Sequence, residues 1–287
     1  MGLSWQQGPL GPNPSGTFLV PDPLPDHLLY AEPAGRRLRV ELAGATIAVS
    51  DAVTLLHETG RYPVAYFPPA DVDARLLRPS TRRTTHRELG STSWWSLHID
   101  GQLHRNVAWS HTSPPAHGAV MTGLIAFVWD AMDAFYEEDE QILGHAADPY
   151  HRVDIRASSR HVSARVDGQL IADSRAALVV YETGFAPRWY VPPADAYPAA
   201  LDDDPLRTLC PYKGVARYYD VVAAGPPRVA AAWSYPEALP ESRRLAGYLS
   251  FDLDQVDVHL DGQLLTTATH QQVVPDGTDR DLTARSD

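Results

Sequence analysis

The sequence predicts a mainly β protein made of two tandem copies of one small antiparallel domain, each with one or two short helices. Three observations support this fold class: a repeat of the chain at constant spacing, apolar residues alternating with polar ones, and tight-turn dipeptides between the apolar runs. The chain has 287 residues, enough for two domains, and its 44% hydrophobic and 21% charged residues are typical of a globular protein.

An internal repeat at an offset of 124 residues divides the chain into two copies. Glu58-Thr59-Gly60 returns as Glu182-Thr183-Gly184, and 182 − 58 = 124. Because no gap is needed over about a hundred residues, chance is a poor explanation, and we predict two domains, residues 36–140 and 160–264. Further identities at the same offset are Ile47/Ile171, Pro68–Asp71/Pro192–Asp195, Gly90/Gly214, Trp109/Trp233 and Asp130/Asp254.

The segments outside the two copies are predicted to be less regular. Residues 1–35 are rich in proline and glycine, which indicates an extended arm. Residues 141–159 lack sustained periodicity and are predicted to connect the domains. Residues 265–287 are polar and are predicted to form a tail.

Within each copy the apolar residues recur mostly at every second position, which is typical of half-buried strands. Asp167-Gly168 follows the alternating run His161–Val166 and favours a tight hairpin turn, and Asp100-Gly101 marks a hairpin in the first copy. Only the segments that end at Gly123 and Gly247 have the character of a short helix.

Cys210-Pro211-Tyr212-Lys213-Gly214 contains the only cysteine and the only lysine of the chain. Proline and glycine favour a turn there, with the thiol packed inward, but a turn does not exclude a site that displays a thiol and an ammonium. The first copy has His86-Arg87-Glu88-Leu89 at the same positions. A function carried by this motif is therefore predicted to belong to the second copy, whereas Gly214, shared with Gly90, belongs to the fold.

A series of segments in the second copy carries a family resemblance: Ser174, Glu182–Gly184, Tyr190–Pro192, Cys210–Gly214, Tyr218-Tyr219 and Ala232–Glu237. In this order they resemble the domain of unknown function 427 family, and the resemblance extends over both copies. It implies a compact tent-like β fold, similar to the zinc-binding Mss4-like domains but without their metal cysteines, and it implies that tandem members occur. It implies no known reaction, although the family sometimes carries a nucleotidyltransferase-like label.

Aromatic residues gather in sequence around the motif, which favours a small-molecule pocket, because such pockets are lined by aromatic and apolar side chains with a few polar groups. In this interpretation Lys213 pairs with an anionic group of a ligand whose identity the sequence does not indicate, and Lys213→Ala removes binding but leaves the fold intact. The ligand-binding candidates are Cys210, Tyr212, Lys213, Trp233, Tyr235, Glu182 and Tyr190.

Other interpretations of the same residues stay open. Glu58 and Glu182 have a structural reading, in which the carboxylate accepts backbone N–H groups and holds a turn. An enzyme would use nucleotidyltransferase-like chemistry, for which no glycine-rich phosphate motif is present, or Cys210 with Lys213 as the group that lowers its pKa. A structural or protein-interaction scaffold is the third possibility, and no catalytic residue is assigned.

Composition argues against several classes of function. A net charge of −12 disfavours nucleic-acid binding, and a single cysteine cannot form a disulfide within the chain. The longest apolar run, Gly123–Trp129, is too short to span a bilayer, and no leader-like segment opens the chain. We therefore expect a cytoplasmic protein with no membrane, metal or cofactor, and the arginine-rich, alanine-rich composition indicates a bacterial origin.

Overall fold

The computed structural model describes residues 2–14, 16–223 and 225–266, and the chain divides into two compact units. One unit comprises residues 18–148, and the other comprises residues 1–17 and those from 149 onward. The predicted polar tail lies outside the described residues from position 267.

The first copy of the domain consists of eleven short strands in chain order. They are β1 Leu29–Pro33, β2 Leu38–Leu42, β3 Ala45–Ser50, β4 Thr54–Glu58, β5 Val64–Phe67, β6 Leu77–His86, β7 Gly90–Ile99, β8 Gln102–His111, β9 Ile125–Phe127, β10 Ala134–Glu137 and β11 Glu140–Ile142.

These strands form two antiparallel sheets. The larger sheet has seven strands in the order β1-β4-β5-β9-β8-β7-β6, and the smaller one has four in the order β11-β10-β2-β3. Successive strands β6, β7 and β8 are joined as hairpins, whereas β5 pairs with β9 across a long stretch of sequence.

The second copy repeats this series of strands. They are β12 Val153–Ala157, β13 Val162–Val166, β14 Gln169–Ser174, β15 Leu178–Glu182, β16 Arg188–Tyr190, β17 Leu201–Cys210, β18 Gly214–Val221, β19 Arg228–Ser234, β20 Leu249–Phe251, β21 Asp257–Leu260 and β22 Gln263–Leu264.

The strand order of the second copy matches that of the first. Strands β12-β15-β16 and β17-β18-β19-β20 correspond to the two parts of the seven-stranded sheet, and β14-β13-β21-β22 corresponds to the smaller sheet. Reciprocal backbone hydrogen bonds between Val191 and Leu249, at 2.8 and 2.9 Å, join the two parts where β5 pairs with β9 in the first copy. The predicted mainly β, antiparallel architecture is therefore confirmed.

Helical structure in the described residues is confined to short 3₁₀ segments: Pro69–Asp71, Ala116–Met121, Trp129–Ala131, Pro193–Asp195, Pro198–Ala200 and Pro240–Leu245. The segments before Gly123 and Gly247 are two of these, and both glycines have positive φ angles, of 72° and 75°. Strands β1 and β12 lie in the stretches for which the sequence predicted an arm and a connector. Across the described residues, no helix combines the length and apolar character needed to cross a bilayer.

Each copy contains two hydrophobic clusters because the larger sheet buries both faces. In the first copy, Leu55 and Phe67 face the smaller sheet and pack in the larger cluster. Their neighbours Leu56 and Tyr66 point to the opposite face and pack in a smaller cluster. The second copy has the same pair of clusters. Cys210 packs against the smaller cluster of the second copy. This cluster therefore lies next to the Cys210–Gly214 turn and to the site described below.

Candidate functional site

The Cys210–Gly214 motif forms the tight turn between strands β17 and β18. Cys210 pairs with Gly214 at the end of the hairpin, and the Lys213 amide donates to the Cys210 carbonyl at 3.3 Å. Gly214 has a φ of 103°, and a Cβ there would lie 2.9 Å from the Glu237 carbonyl oxygen. A side chain is therefore excluded both by backbone conformation and by space, so the glycine fixes how the turn presents Tyr212 and Lys213.

The Glu-Thr-Gly corner brings Glu182 to the same place at the end of strand β15. The Arg152 amide donates to the Thr183 hydroxyl at 2.9 Å, and the Thr183 amide donates to the Arg152 carbonyl at 3.0 Å. The threonine thus holds the corner, and the Glu182 carboxylate bonds only to side chains. Among the described residues the expected backbone N–H donors to this carboxylate are not found, and a structural role for the glutamate stays a prediction.

The centre of the site is an ion pair between Lys213 and Glu182. Lys213 Nζ lies 2.5 Å from Glu182 Oε2, and only 8% and 12% of the two side chains are exposed. His151 Nε2 lies 3.2 Å from the other carboxylate oxygen, Oε1. Both oxygens of Glu182 are therefore engaged, one by an ammonium and one by an imidazole, in a largely dehydrated setting.

The charged partners stabilise one another's charged forms. Burial by itself would raise the pKa of Glu182, but Lys213 and the hydrogen bond from His151 outweigh it and hold the pKa well below its ordinary value. Burial would likewise lower the pKa of Lys213, but Cys210 and Glu182 raise it above the ordinary lysine value. The site therefore holds a fixed ammonium and a fixed carboxylate across the neutral pH range.

Aromatic side chains enclose this ion pair. Tyr212 stacks on His151 with ring centroids 3.7 Å apart, and Lys213 Nζ lies 5.9 Å from the centre of the Tyr235 ring. Tyr190 and Tyr235 are 1% and 7% exposed. Burial raises the pKa of both phenols, so they remain neutral hydroxyls at physiological pH.

The outer side of the site contains Cys210 and Trp233. The Arg188 guanidinium lies 4.8 Å from the Trp233 ring, and Trp233 packs with Cys210 against the smaller cluster. Burial raises the pKa of the Cys210 thiol, against the opposing effect of Lys213. The thiol is thus protonated near neutral pH, and it forms no disulfide.

In the first copy the equivalent position is occupied by histidines and glutamates. Glu58 Oε1 lies 2.9 Å from His27 Nε2 and 3.5 Å from His86 Nε2. His27 Nδ1 in turn lies 2.8 Å from Glu88 Oε1. Since 27 + 124 = 151, His27 corresponds to His151, and His86 and Glu88 stand where the second copy has Cys210 and Tyr212.

His111, which corresponds to Tyr235, completes the first copy's cluster. The Trp109 indole donates to the Tyr66 hydroxyl at 3.2 Å, and Tyr66 lies 3.3 Å from His111 Nε2. Burial, together with the neighbouring His86, lowers the pKa of His111 to about 4. Burial raises the pKa of Tyr66 to about 12, so its hydroxyl stays protonated and can donate to a neutral imidazole.

The structure brings all seven predicted candidates into one neighbourhood, and their role toward a ligand remains a prediction. Sequence reasoning missed His151 and its counterpart His27, because both lie in stretches interpreted as connector and arm. Extending the 124-residue offset upstream by nine positions, from 36 to 27, reveals the pair. Trp189, by contrast, packs with the larger cluster and stays apart from the site.

Neither cluster has the arrangement of a metal centre. In the described part of the chain, no group of three or more His, Cys, Asp or Glu side chains is placed to hold a metal ion. The two sites differ instead in the cation beside the glutamate: a buried ammonium at Glu182 in the second copy, and the exposed guanidinium of Arg61, 3.2 Å from Glu58 Oε2, in the first.

Comparison with models of protein families identifies the family to which the chain belongs. The family described as domain of unknown function (DUF427) matches residues 30–138 and again residues 154–262. Both matches begin close to the histidines of the two sites, at β1 and β12. Among curated proteins, none matches the chain.

Proposed function

Since the chain belongs to the DUF427 family and carries that domain twice, we propose that its second copy binds a small molecule at the Lys213–Glu182 ion pair. The observation that carries this proposal is a buried ammonium and carboxylate enclosed by aromatic side chains in one copy only. The first copy forms the same fold with Leu89 in place of the lysine, so the fold itself does not need the charge.

The energetics of buried ion pairs support a use beyond stability. Removing two charges from water costs about as much as their attraction returns, and replacing such pairs with apolar residues is often neutral or stabilising. A lysine retained in this position therefore calls for another role. The two side chains are 8% and 12% exposed, and the proposal requires a ligand atom to reach the pair through this small exposed area.

The site's chemistry indicates what the ligand would carry. Lys213 has three N–H donors, and Glu182 accepts one of them, so the ammonium retains donors for an oxygen of the ligand. Tyr212 and Trp233 are partly exposed and can cover a flat apolar body. The expected ligand is a small planar molecule with an acceptor oxygen at one end.

Enzyme chemistry at Cys210 or Lys213 is the weaker alternative. A cysteine nucleophile acts as the thiolate and a lysine nucleophile as the neutral amine. The raised pKa of the Cys210 thiol and the raised pKa of Lys213 both favour the protonated, non-nucleophilic forms. A scaffold role would give the buried ion pair no ligand to bind, and it would therefore not explain why the pair is present.

Ligand screening with a charge-neutral variant tests the proposal. The full chain is screened by thermal shift against a panel of metabolites and nucleotides, and each hit is measured by calorimetry. We expect hits to lose binding in the double variant Lys213→Met with Glu182→Gln, which removes both charges and leaves no buried charge unpaired. Leu89→Met, the corresponding change in the first copy, is the matched control. A hit that binds the double variant as well as the wild type would exclude this site.

A further inference from the structure

The second copy has an open groove away from the Lys213 site. Its volume is about 510 Å³, which is within the range of small-molecule sites. The groove lies beside the end of strand β12 and the start of β15, with the 3₁₀ segment Pro240–Leu245 along one side. Its lining residues are Ala157, Ser158, Ser159, Arg175, Ala176, Ala177, Leu178, Arg244 and Tyr248.

Two arginines at this groove have no acidic partner. Across the part of the chain that the structure describes, no carboxylate oxygen lies within 4.0 Å of the guanidinium of Arg175 or Arg244. Arg244 donates through Nη1 to the Ile155 carbonyl at 2.7 Å, which fixes its guanidinium against the middle of β12. Arg175 contributes to lowering the pKa of Asp261, but that carboxylate is bonded by the Arg160 guanidinium at 2.6 Å.

The first copy provides an internal control for this arrangement. Since 175 − 124 = 51 and 244 − 124 = 120, the corresponding residues are Asp51 and Val120. Asp51 is paired with Arg37 at 3.0 Å, and Val120 is 64% exposed. The same fold is therefore built without either cation, so neither arginine is required by the architecture.

We propose that this groove binds the phosphate group of a small organic phosphate monoester, with Arg175 and Arg244 as its anion-binding residues. Guanidinium groups form paired, charge-assisted hydrogen bonds with phosphate oxygens, and two of them match the two charges of a monoester. The exposed methyl groups of Ala157 and Ala176 and the partly exposed Tyr248 ring provide an apolar surface for the organic part. The groove is independent of Lys213, Glu182 and His151, none of which lines it.

Phenyl phosphate is a suitable probe because it combines a phosphate dianion with a small apolar body. In an NMR titration of the full chain, we expect saturable shifts of the backbone amides at 157–159 and 175–178. Phenol, which lacks the charge, and inorganic phosphate, which lacks the body, should bind at least tenfold more weakly. Phenyl phosphate affinity should also fall as ionic strength rises.

Three variants test the residue assignment. Arg175→Ala and Arg244→Ala should each weaken phenyl phosphate binding about tenfold or more. Arg243→Ala is the matched control, since Arg243 is exposed on the same 3₁₀ segment and does not line the groove. Within residues 2–14, 16–223 and 225–266 the Arg175 side chain has no hydrogen bond or ion pair that its removal would break, so this variant remains informative if Arg244→Ala is unstable.

Several outcomes would overturn the proposal. It fails if phenyl phosphate gives no saturable shifts, or if both arginine variants bind it as tightly as Arg243→Ala. Equal affinity for phenylacetate would overturn the assignment to phosphate monoesters. Equal affinity for inorganic phosphate would overturn the role of the apolar surface.

Discussion

At one position of the shared fold the second copy carries Lys213 and the first carries Leu89, and this difference decides which groups face the glutamate at the strand end. In the second copy, Glu182 meets an ammonium at 2.5 Å. In the first, Glu58 meets two imidazoles, those of His27 and His86. The ammonium of Lys213 keeps its charge across the physiological pH range because its pKa is raised above the ordinary lysine value by Cys210 and Glu182. Both copies thus pair the same carboxylate with a permanent cation, but in the second copy this cation is a buried ammonium, whereas in the first it is the 69% exposed guanidinium of Arg61, 3.2 Å from Glu58 Oε2.

The largest expected effect comes from breaking the ion pair of the second copy. Lys213→Met should lower the free energy of unfolding by about 3–5 kcal/mol, because Glu182 would remain buried with only His151 as partner. The double variant with Glu182→Gln should lie within about 1–2 kcal/mol of the wild type, because no unpaired charge remains. The measurement is urea denaturation of the full chain followed by tryptophan fluorescence.

Leu89→Met is the control for that experiment and should cost less than about 1.5 kcal/mol. Lys213→Ala leaves the same buried carboxylate without its ammonium, so we expect it to lower the free energy of unfolding as well. A loss below about 1 kcal/mol for Lys213→Met would mean that the pair is hydrated and that the two copies differ less than their geometry indicates.

The second prediction concerns acid sensitivity, which should be a property of the first copy. The pKa of His111 is lowered from 6.5 to about 4 in the folded protein, so its neutral form is favoured there. The resulting stability is fully present above pH 6.5 and is lost as the pH falls toward 4, by about 2–3 kcal/mol in total. Glu182 behaves differently. Because its pKa is lowered in the folded protein, it stabilises the second copy at every pH above the ordinary glutamate pKa, and this stability is lost only as the pH falls below that value.

His111→Tyr, which places the residue of the second copy at this position, should remove most of this acid sensitivity. Denaturation curves at pH 7.5, 6 and 5 compare this variant with the wild type. Leu89→Met, which alters the same cluster without removing a titratable group, is the control and should leave the pH dependence unchanged. An identical pH profile for His111→Tyr and wild type would show that other groups control the response.

A smaller effect should distinguish the two turn glycines. Both have positive φ angles, 74° for Gly90 and 103° for Gly214, so alanine is strained at either position by about 1 kcal/mol. At Gly214 the added Cβ also meets the Glu237 carbonyl at 2.9 Å, whereas at Gly90 the nearest atom is 3.9 Å away. Gly214→Ala should therefore cost at least about 2 kcal/mol. Equal losses in urea denaturation would mean that the turn relaxes.

The smallest predicted effect tests the newly identified histidine of the second copy. His151→Phe keeps a ring stacked on Tyr212 but removes the hydrogen bond to Glu182, so it should cost about 1 kcal/mol. The double variant that combines it with Lys213→Met should cost more than the sum of the single changes, because Glu182 then loses both partners. Strict additivity would place His151 outside the charge network.

Much of the fold followed from local patterns, and much of the site did not. The offset of 124 residues and the alternation of apolar residues are visible without coordinates, and they indicated two β domains correctly. The hairpin at Cys210–Gly214 was likewise foreseeable from Pro211 and Gly214. The pairing of Lys213 with Glu182 was not, because 31 residues separate them and only the return of strand β15 beside the hairpin joins them.

Regular alternation and glycine positions determined the architecture from the sequence alone, because a strand's side-chain directions and a turn's backbone angles depend on nearest neighbours in the chain. Comparison of the two copies singled out Cys210, Tyr212 and Lys213, because the first copy has other residues at these positions. Only the tertiary structure decided which charges meet, and it added His27 and His151 to the two sites. The reason is physical: electrostatic interactions depend on distance and burial, which are set when strands from remote parts of the chain pack together.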